Sequence, residues 1–260
     1  MNISLKGKRA LVTGGNSGIG AAITTALADA EAKVAINFLV NPEETQKLAS
    51  EIKKKNGETL SIQANVSDSS AVDKMFEQID QEWGGIDILV NNAGIDGKRA
   101  MTWEAEIADW RKVIEVNLIG SFHTAQQALK RMIKQKSGVI LNVTSVHEII
   151  AWSGYSAYTT SKAGLSMMTQ TMAQEAAPYG VRVLAIAPGA IKTPINKNVW
   201  TDPNNLRDLL EKIPLNRLGE PDDIARLAVV LVSEAASYLT GRTVFVDGGM
   251  TDYPDFSHGG

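Results

Sequence analysis

The chain contains no cysteine, which excludes disulfide bonds and metal sites built on thiolates. Its three histidines, His123, His147 and His258, are scattered along the sequence and do not form a ligand cluster. We therefore expect no bound metal.

Long apolar runs and concentrated positive charge are also missing. No stretch approaches the ~20 apolar residues that span a bilayer, and no N-terminal apolar run follows a basic patch. The net charge is -3, and the short run Lys53-Lys54-Lys55 is interpreted as the solvated end of a helix. Neither a membrane nor a nucleic acid is expected as a partner. These absences lead us to expect a soluble, cytoplasmic protein.

What is present is an alternation of short apolar segments and longer segments with helical spacing. With 260 residues, 44% of them hydrophobic, the chain can bury a sizeable core. Segments as apolar as 86–90 are typical of strands buried on both faces, as in a parallel sheet. No linker or repeat divides the chain. We predict an α/β fold over residues 1–260, a single-domain Rossmann-type doubly wound parallel sheet of about seven strands with helices on both faces.

A glycine-rich segment follows the first predicted strand and precedes a helix. It reads Thr13-Gly14-Gly15-Asn16-Ser17-Gly18-Ile19-Gly20. Strand, glycine turn and helix are the setting in which a pyrophosphate binds, because the backbone can approach closely and the helix N-terminus offers free N–H groups. An ordinary tight turn is the alternative. The context favours a dinucleotide cofactor.

The residues that would choose between NAD and NADP are unusual. A ribose-reading acid is expected about 20 residues after the glycines, and Asn37 stands there. Asn37, Phe38 and Leu39 include neither an Asp for a 2′-hydroxyl nor an Arg for a 2′-phosphate. Asn65 ends the third predicted strand, where an adenine could lie. We expect a mild preference for NAD, with NADP still usable.

Tyr158 and Lys162 are the strongest chemical signal. Residues four apart share one face of a helix. A phenol with a pKa of about 10 is too weak a base near neutrality, and a neighbouring ammonium lowers that pKa. Ser145, at the end of an apolar run, is placed to hold the same substrate oxygen. The pair predicts an acid/base for an alcohol oxygen, although a surface pair has the same spacing.

Other polar residues follow from the predicted topology. Ligands of parallel sheets bind beyond the carboxyl ends of the strands, so the strand tips at Thr13, Asn91, Ser145 and Pro188 are expected to face one crevice. Asn117 lies among apolar residues of a long helix predicted over 103–134, either as a packing amide or as part of a polar relay. Residues 190–215 form a long connection that is typical of a lid.

Together these motifs resemble the short-chain dehydrogenase/reductase family over essentially the whole chain. The matching residues are Thr13-Gly14-x-x-x-Gly18-x-Gly20, Asn91-Asn92-Ala93-Gly94, Asn117, Ser145, Tyr158-x-x-x-Lys162 and Pro188-Gly189. The resemblance implies hydride transfer between a carbinol carbon and NAD(P), with a small molecule as substrate.

The resemblance also implies residue roles. Tyr158 would be the general acid/base, Lys162 would lower its pKa and hold the nicotinamide ribose, and Ser145 would orient the substrate. Asn117 would hold a water that links Lys162 to solvent, and Thr193 would bind the carboxamide. The expected cofactor contacts are Gly14, Asn16, Ser17, Gly18, Ile19, Gly20, Asn37, Phe38, Asn65, Val66, Asn91, Ala93, Gly94, Tyr158, Lys162, Pro188, Gly189, Ile191 and Thr193.

A narrower resemblance points to bacterial glucose 1-dehydrogenases. It rests on the stretches Ser145–Glu148, Pro188–Asn196, Glu234–Tyr238 and Asp247–Pro254. It implies oxidation of β-D-glucose to gluconolactone with NAD or NADP, by a homotetramer. The aromatic tail 250–260, with Tyr253, Phe256 and His258, is then expected at subunit interfaces near active sites, although a frayed terminus is the alternative.

The expected substrate contacts are Asp96, Ser145, His147, Tyr155 and Asn196, because a polyol needs several converging polar groups. Asp96 also fits ordinary loop polarity, Tyr155 a pocket wall, and Asn196 lid packing. A carbonyl reductase of 3-oxoacyl, steroid or other ketones is a second hypothesis, favoured by Trp152. A cofactor-binding scaffold without turnover is a third, which the complete set of Asn117, Ser145, Tyr158 and Lys162 disfavours.

Overall fold

The computed structural model describes residues 3–194 and 196–252, without the side chain of residue 198. Seven strands form one parallel sheet in the order β3-β2-β1-β4-β5-β6-β7. The strands are β1 (Arg9–Val12), β2 (Lys33–Phe38), β3 (Thr59–Gln63), β4 (Ile88–Asn91), β5 (Gly138–Val143), β6 (Val181–Pro188) and β7 (Thr243–Val246). The predicted fold class is confirmed.

The helices of the described residues connect these strands on both faces of the sheet. They are α1 (Gly18–Asp29), α2 (Pro42–Lys54), α3 (Ser69–Trp83), α4 (Ile107–Ile114), α5 (Gly120–Gln135), α6 (Ser156–Ala176), α7 (Lys197–Trp200), α8 (Pro203–Leu210) and α9 (Pro221–Val232). None of the helices in this described part combines the length and apolar character that crossing a bilayer requires.

Alternate residues of the strands supply two separate cores. On one face, Val12 and Val90 pack with Ile23 of α1 and Ile224 of α9. On the other face, Leu11 and its neighbours pack against α3, α5 and α6. Both faces of the central strands are therefore covered, which is why their sequences are continuously apolar rather than alternating.

The helix predicted over 103–134 is shorter and interrupted. It begins at Ile107, and the preceding Trp103 is exposed in a turn closed by a hydrogen bond from the Glu104 N–H to the Met101 carbonyl. Apolar spacing does not register such a turn. A π-helical segment, Glu115–Ile119, separates α4 from α5 and carries Asn117. π-Bulges of this kind occur frequently at functional sites.

Candidate active site

The ends of four strands meet at one cavity, which Ser145 and Pro188 line as expected, whereas Thr13 and Asn91 do not. It has a volume of about 380 Å³ and lies beyond the carboxyl ends of β1, β4, β5 and β6. Its lining comes from four loops: the glycine turn with Gly14, Ser17, Gly18, Ile19 and Gly20; Asn92–Asp96; Val143–His147; and Pro188–Ile191 with Thr193, Pro194 and Asn196. Tyr158 and Lys162 of α6 also line it. Residues far apart in sequence thus share one space.

The glycine turn fits a pyrophosphate. A Cβ on Gly20 would lie 2.1 Å from the Gly14 carbonyl oxygen, so no side chain fits where the turn meets α1. Ser17 precedes α1 without a side-chain cap, and the first turn of α1 carries no acid. Its free N–H groups and positive helix end are available to an anion. This cradle, beside Tyr158 and Lys162, matches a dinucleotide.

A side chain directly after β4 holds that turn in place. The Asn92 amide donates to the carbonyls of Thr13 and Gly14, at 3.0 and 3.1 Å. The Thr13 hydroxyl in turn accepts hydrogen bonds from the backbone N–H groups of Asn92 and Ala93, both at 3.0 Å. The sequence singled out Asn92 only as part of a motif. Its structural role is to tie the tip of β1 to the tip of β4.

Asn117 acts as a clamp between three segments. Its side chain accepts a hydrogen bond from the Ile95 N–H at 2.8 Å and donates to the Ile95 carbonyl at 2.9 Å. It also donates to the Ser161 hydroxyl of α6 at 3.1 Å. The amide is buried and fully engaged. It therefore fixes the loop that carries Asp96 against the helix that carries Lys162.

Lys162 is buried beside Tyr158. Its ammonium donates to the Val143 carbonyl at 2.9 Å and lies 5.6 Å from the centroid of the Tyr158 ring. Burial lowers the pKa of Lys162 to about 8, against the opposing negative charges of Asp96 and Glu148. A lysine tuned in this way exchanges its proton close to neutral pH.

The pKa of the Tyr158 phenol is shifted in the direction opposite to the one expected. Burial raises the pKa of Tyr158, while a hydrogen bond with Ser145 acts in the lowering direction. This reverses the prediction that Lys162 brings the pKa of Tyr158 down. The ammonium is directed to the Val143 carbonyl and lies over the ring, so desolvation of the phenolate dominates.

Three aromatic rings form a stack at one side of the cavity. Trp152 stacks on His147 with centroids 4.5 Å apart and on Tyr155 with centroids 3.9 Å apart. His147 and Tyr155 do not form a ring pair with each other, so they cover opposite faces of Trp152. Trp152 meets Tyr158 edge to face at 5.8 Å. The structure does not bring Tyr155 into the cavity: it lines a neighbouring cleft of about 190 Å³.

A backbone contact determines the tautomer of His147. Its Nδ1 lies 3.0 Å from the Ile150 carbonyl oxygen, which can only accept, so Nδ1 carries the proton. Burial lowers the pKa of His147 and favours the neutral ring. Nε2 is then the acceptor nitrogen of His147, a residue that lines the cavity. Asp96, shared by the cavity and the neighbouring cleft, has a pKa raised by burial.

Several expected cofactor contacts do not line the cavity: Asn16, Asn37, Phe38, Asn65, Val66 and Asn91. Asn37, at the position of the ribose-reading acid, is buried. Its Nδ2 donates to the Ala64 carbonyl at 3.0 Å, and its Oδ1 accepts from the Gly14 N–H at 3.4 Å. The amide thus joins β2, β3 and the glycine turn from behind. Phe38 is likewise buried in the sheet.

Three other expected cofactor contacts that do not line the cavity also use their side chains in hydrogen bonds within the protein. Asn91 donates to the Asn142 side chain at 2.9 Å in a fully buried polar network. Asn16 donates to the Val40 carbonyl at 2.9 Å, and the Asn65 side chain closes its own turn with Ser67. Sequence position alone does not reveal whether an amide side chain faces the cavity or the protein behind the cavity wall.

Three residues that sequence patterns missed come from the lid segment 190–215 and from the turn after β7. Val199 of α7, Leu209 of α8 and Met250 line the cavity. Asn196 does reach the cavity lining, but its amide is used locally: Oδ1 accepts from the N–H and hydroxyl of Thr193, both at 3.0 Å. Helices as short as α7 have too few residues for an apolar period. Residues 253–260 of the predicted tail, including Tyr253, lie outside the described residues.

Comparisons with known proteins agree with this geometry. A family model described as Enoyl-(Acyl carrier protein) reductase matches residues 14–251. The 3beta-hydroxysteroid dehydrogenase 1 of Eggerthella lenta is 42% identical over 256 residues, covering 98% of this chain and 98% of that protein. The glucose 1-dehydrogenase 2 of Bacillus subtilis is 40% identical over 251 residues, covering 96% of this chain and 97% of that protein.

Solved structures agree as well. The crystal structure of a gluconate 5-dehydrogenase from Burkholderia cenocepacia J2315, in complex with NADP and tartrate, superposes with a TM-score of 0.91 at 34% identity. The match covers 96% of this chain and 97% of that one.

The clamp at Asn117 makes a testable prediction about stability. Asn117→Ala should lower the free energy of unfolding by about 1–3 kcal/mol, because the enclosed N–H of Ile95 loses its partner. Urea denaturation measures the change. Asn65→Ala, which opens only a local turn, is the control and should cost clearly less. Equal losses for the two variants would contradict the clamp.

Proposed function

This chain belongs to the short-chain dehydrogenase/reductase family of NAD(P)-dependent oxidoreductases, and from that premise we propose that it oxidises the carbinol carbon of a sugar. D-Glucose at C1, giving gluconolactone, is the first choice. The observation that carries the proposal is the acceptor Nε2 of His147 in the same cavity as Tyr158, with Asp96 as a second acceptor. Converging acceptors suit a substrate with several hydroxyl groups.

The cofactor and the residues of the cavity have separate roles in the proposed reaction. When bound, NAD(P) supplies the hydride acceptor or donor. In oxidation, Tyr158 removes the hydroxyl proton while Ser145 hydrogen-bonds the same oxygen. The raised pKa of Tyr158 keeps the phenol protonated, which is the form that donates a proton in the reverse reduction. The hydrogen bond with Ser145 acts against the effect of burial when the phenolate is needed.

The competing proposal is a carbonyl reductase of steroid, 3-oxoacyl or other ketones. The 3beta-hydroxysteroid dehydrogenase relative supports it. Trp152 supports it less than its sequence position indicates, because His147 and Tyr155 cover both of its faces and leave an edge toward the cavity. A flat apolar substrate therefore lacks an open aromatic face, and the sugar is preferred.

A substrate panel separates the two proposals. Initial rates with aldoses, polyols, a 3-hydroxysteroid and a 3-oxoacyl thioester, each with both cofactors, should give the highest kcat/KM for an aldose.

The variant His147→Phe keeps a ring on Trp152 but removes the hydrogen-bond acceptor. It should lower kcat/KM for that aldose roughly 10- to 100-fold, the cost of an unpaired substrate hydroxyl. A ketone without further hydroxyls is the control. Highest activity on the steroid, unaffected by His147→Phe, would favour the reductase.

The acid/base role makes a second prediction. Tyr158→Phe removes only the transferable proton, so kcat should fall by about 10²- to 10⁴-fold while cofactor affinity stays near wild type. Lys162→Ala should reduce both turnover and cofactor affinity. Kinetics and a cofactor fluorescence titration measure these changes. Tyr155→Phe is the matched control, and a loss there as large as in Tyr158→Phe would transfer the role to Tyr155.

A wild-type chain that binds cofactor but turns over nothing on the panel would favour the hypothesis of a cofactor-binding scaffold without turnover.

Cofactor choice is proposed to favour NAD mildly. Leu39 is exposed at the end of β2, and Glu43 and Glu44 occupy the first turn of the following helix. No cation stands at 37–39 to pair with a 2′-phosphate, and no Asp stands there to repel it. NADP should therefore bind more weakly than NAD while remaining usable.

Leu39→Arg tests this choice. A hydrogen bond from arginine to a charged phosphate should shift the preference toward NADP by about 1.5–3 kcal/mol, read from the ratio of kcat/KM values. Leu39→Gln, of similar length and neutral, should shift it much less. A wild-type enzyme that strongly prefers NADP would contradict the proposal.

Assembly is the last part of the proposed function. We expect a homotetramer, because the resemblance of the chain to bacterial glucose 1-dehydrogenases implies one. Sedimentation equilibrium measures the assembly directly.

A further inference from the structure

Glu148 is a partly enclosed carboxylate that the proposed reaction does not use. It ends the 3₁₀ turn Val146–Glu148, which begins directly after Ser145. Its Oε1 accepts a hydrogen bond from the Ser166 hydroxyl at 2.9 Å. Its Oε2 is fully buried and has no hydrogen-bond partner among the described residues. A buried carboxylate oxygen without a partner is costly, so its retention calls for a compensating charge.

The position of Ser166 indicates which charge compensates. Tyr158, Lys162 and Ser166 occupy successive turns of α6, four residues apart, and therefore share one face. The carboxylate that binds Ser166 thus lies at the end of this row, one turn beyond Lys162. Lys162 is the cation of the row, and its own hydrogen bond goes to a neutral carbonyl, that of Val143.

Charged and titratable groups approach Lys162 from each element around it. Tyr158 comes from its own helix, Asp96 from the loop after β4, and Glu148 from the 3₁₀ turn, while His147 lines the same cavity. Asp96 and Glu148 are the groups whose negative charges oppose the effect of burial on Lys162. Asp96 also lines the substrate cavity, whereas Glu148 does not. Glu148 therefore lies outside the space that a substrate would occupy.

We propose that Glu148 is a positioning residue that ties the Ser145 segment to α6 and keeps Lys162 in its ammonium form. The proposal deepens the function above and rests on the roles given there to Tyr158 and Lys162. Two separable contributions follow: the hydrogen bond to Ser166, which is mechanical, and the negative charge, which is electrostatic.

Two substitutions separate these contributions. Glu148→Gln keeps an oxygen that can accept from Ser166 but removes the charge, whereas Ser166→Ala removes the hydrogen bond and keeps the charge. Glu51→Gln, at an exposed position of α2, is the matched control for losing one carboxylate. Glu148→Ala provides a second neutral variant in case the amide prevents folding.

The titration of Lys162 is the direct readout. Carbon-13 NMR of lysine-labelled protein follows the ammonium against pH, and Lys162→Met identifies the resonance. Loss of a nearby negative charge disfavours the ammonium, so the Lys162 midpoint should move to lower pH in Glu148→Gln and Glu148→Ala, by on the order of one pH unit. Ser166→Ala and Glu51→Gln should leave it close to wild type. Identical midpoints in the wild type and both neutral variants would overturn the proposal.

Kinetics give an independent readout once a substrate is known. The alkaline limb of the kcat profile of Glu148→Gln should move to lower pH in parallel with the Lys162 midpoint, whereas Ser166→Ala should change KM or kcat without moving the limb. A wild-type enzyme without activity would refute the proposed function, while the NMR titration would still decide the role of Glu148. An active enzyme with an unmoved Lys162 midpoint in the neutral variants would refute only this inference.

Discussion

The pairing of β1 with β2 on one side and β4 on the other is the constraint on which the site depends. After β1 the chain forms β2 and β3 on one side of β1, and it then returns to form β4 on the other side. The loops that follow β1 and β4 therefore lead away from each other and leave a crevice between them. Asn92 sets the distance across this crevice by bonding to both Thr13 and Gly14. A Cβ on Gly20 would also lie 2.5 Å from the Asn92 amide nitrogen, so this glycine packs against the same connection.

The chemistry within the crevice is a balance between desolvation and charge. Burial acts in the same sense on both members of the central pair, favouring the neutral phenol of Tyr158 and the neutral amine of Lys162. Opposing it are the hydrogen bond of Ser145 to the phenol and the carboxylates of Asp96 and Glu148 around the lysine. Small changes in the charge of neighbouring groups therefore shift the protonation of both Tyr158 and Lys162. The surrounding Ser145, Asp96 and Glu148 are thus as important to the chemistry as the pair itself.

Much of the fold could be predicted from local patterns. Strand apolarity, the glycine turn and the helical spacing of α3 and α6 indicate a doubly wound parallel sheet, and the structure contains that sheet. The predictions fail at boundaries where no periodic signal exists. The turn before Ile107 is closed by a hydrogen bond to Met101 that leaves no mark on the apolar spacing. The π-helical segment carries Asn117, whose hydrogen bonds to Ile95 and Ser161 come from packing rather than from local preference.

The sequence by itself determined which chemical groups are available: the tyrosine and lysine one helical turn apart, the serine after a buried strand and the glycines before α1. These follow from spacing and residue type, which are properties of the chain alone. Only the tertiary structure decided where each group points. Asn37 and Asn91 turn into the sheet, Tyr155 stacks behind Trp152, and the phenol of Tyr158 is desolvated. Orientation and solvation depend on contacts between segments distant in sequence, and no local pattern encodes them.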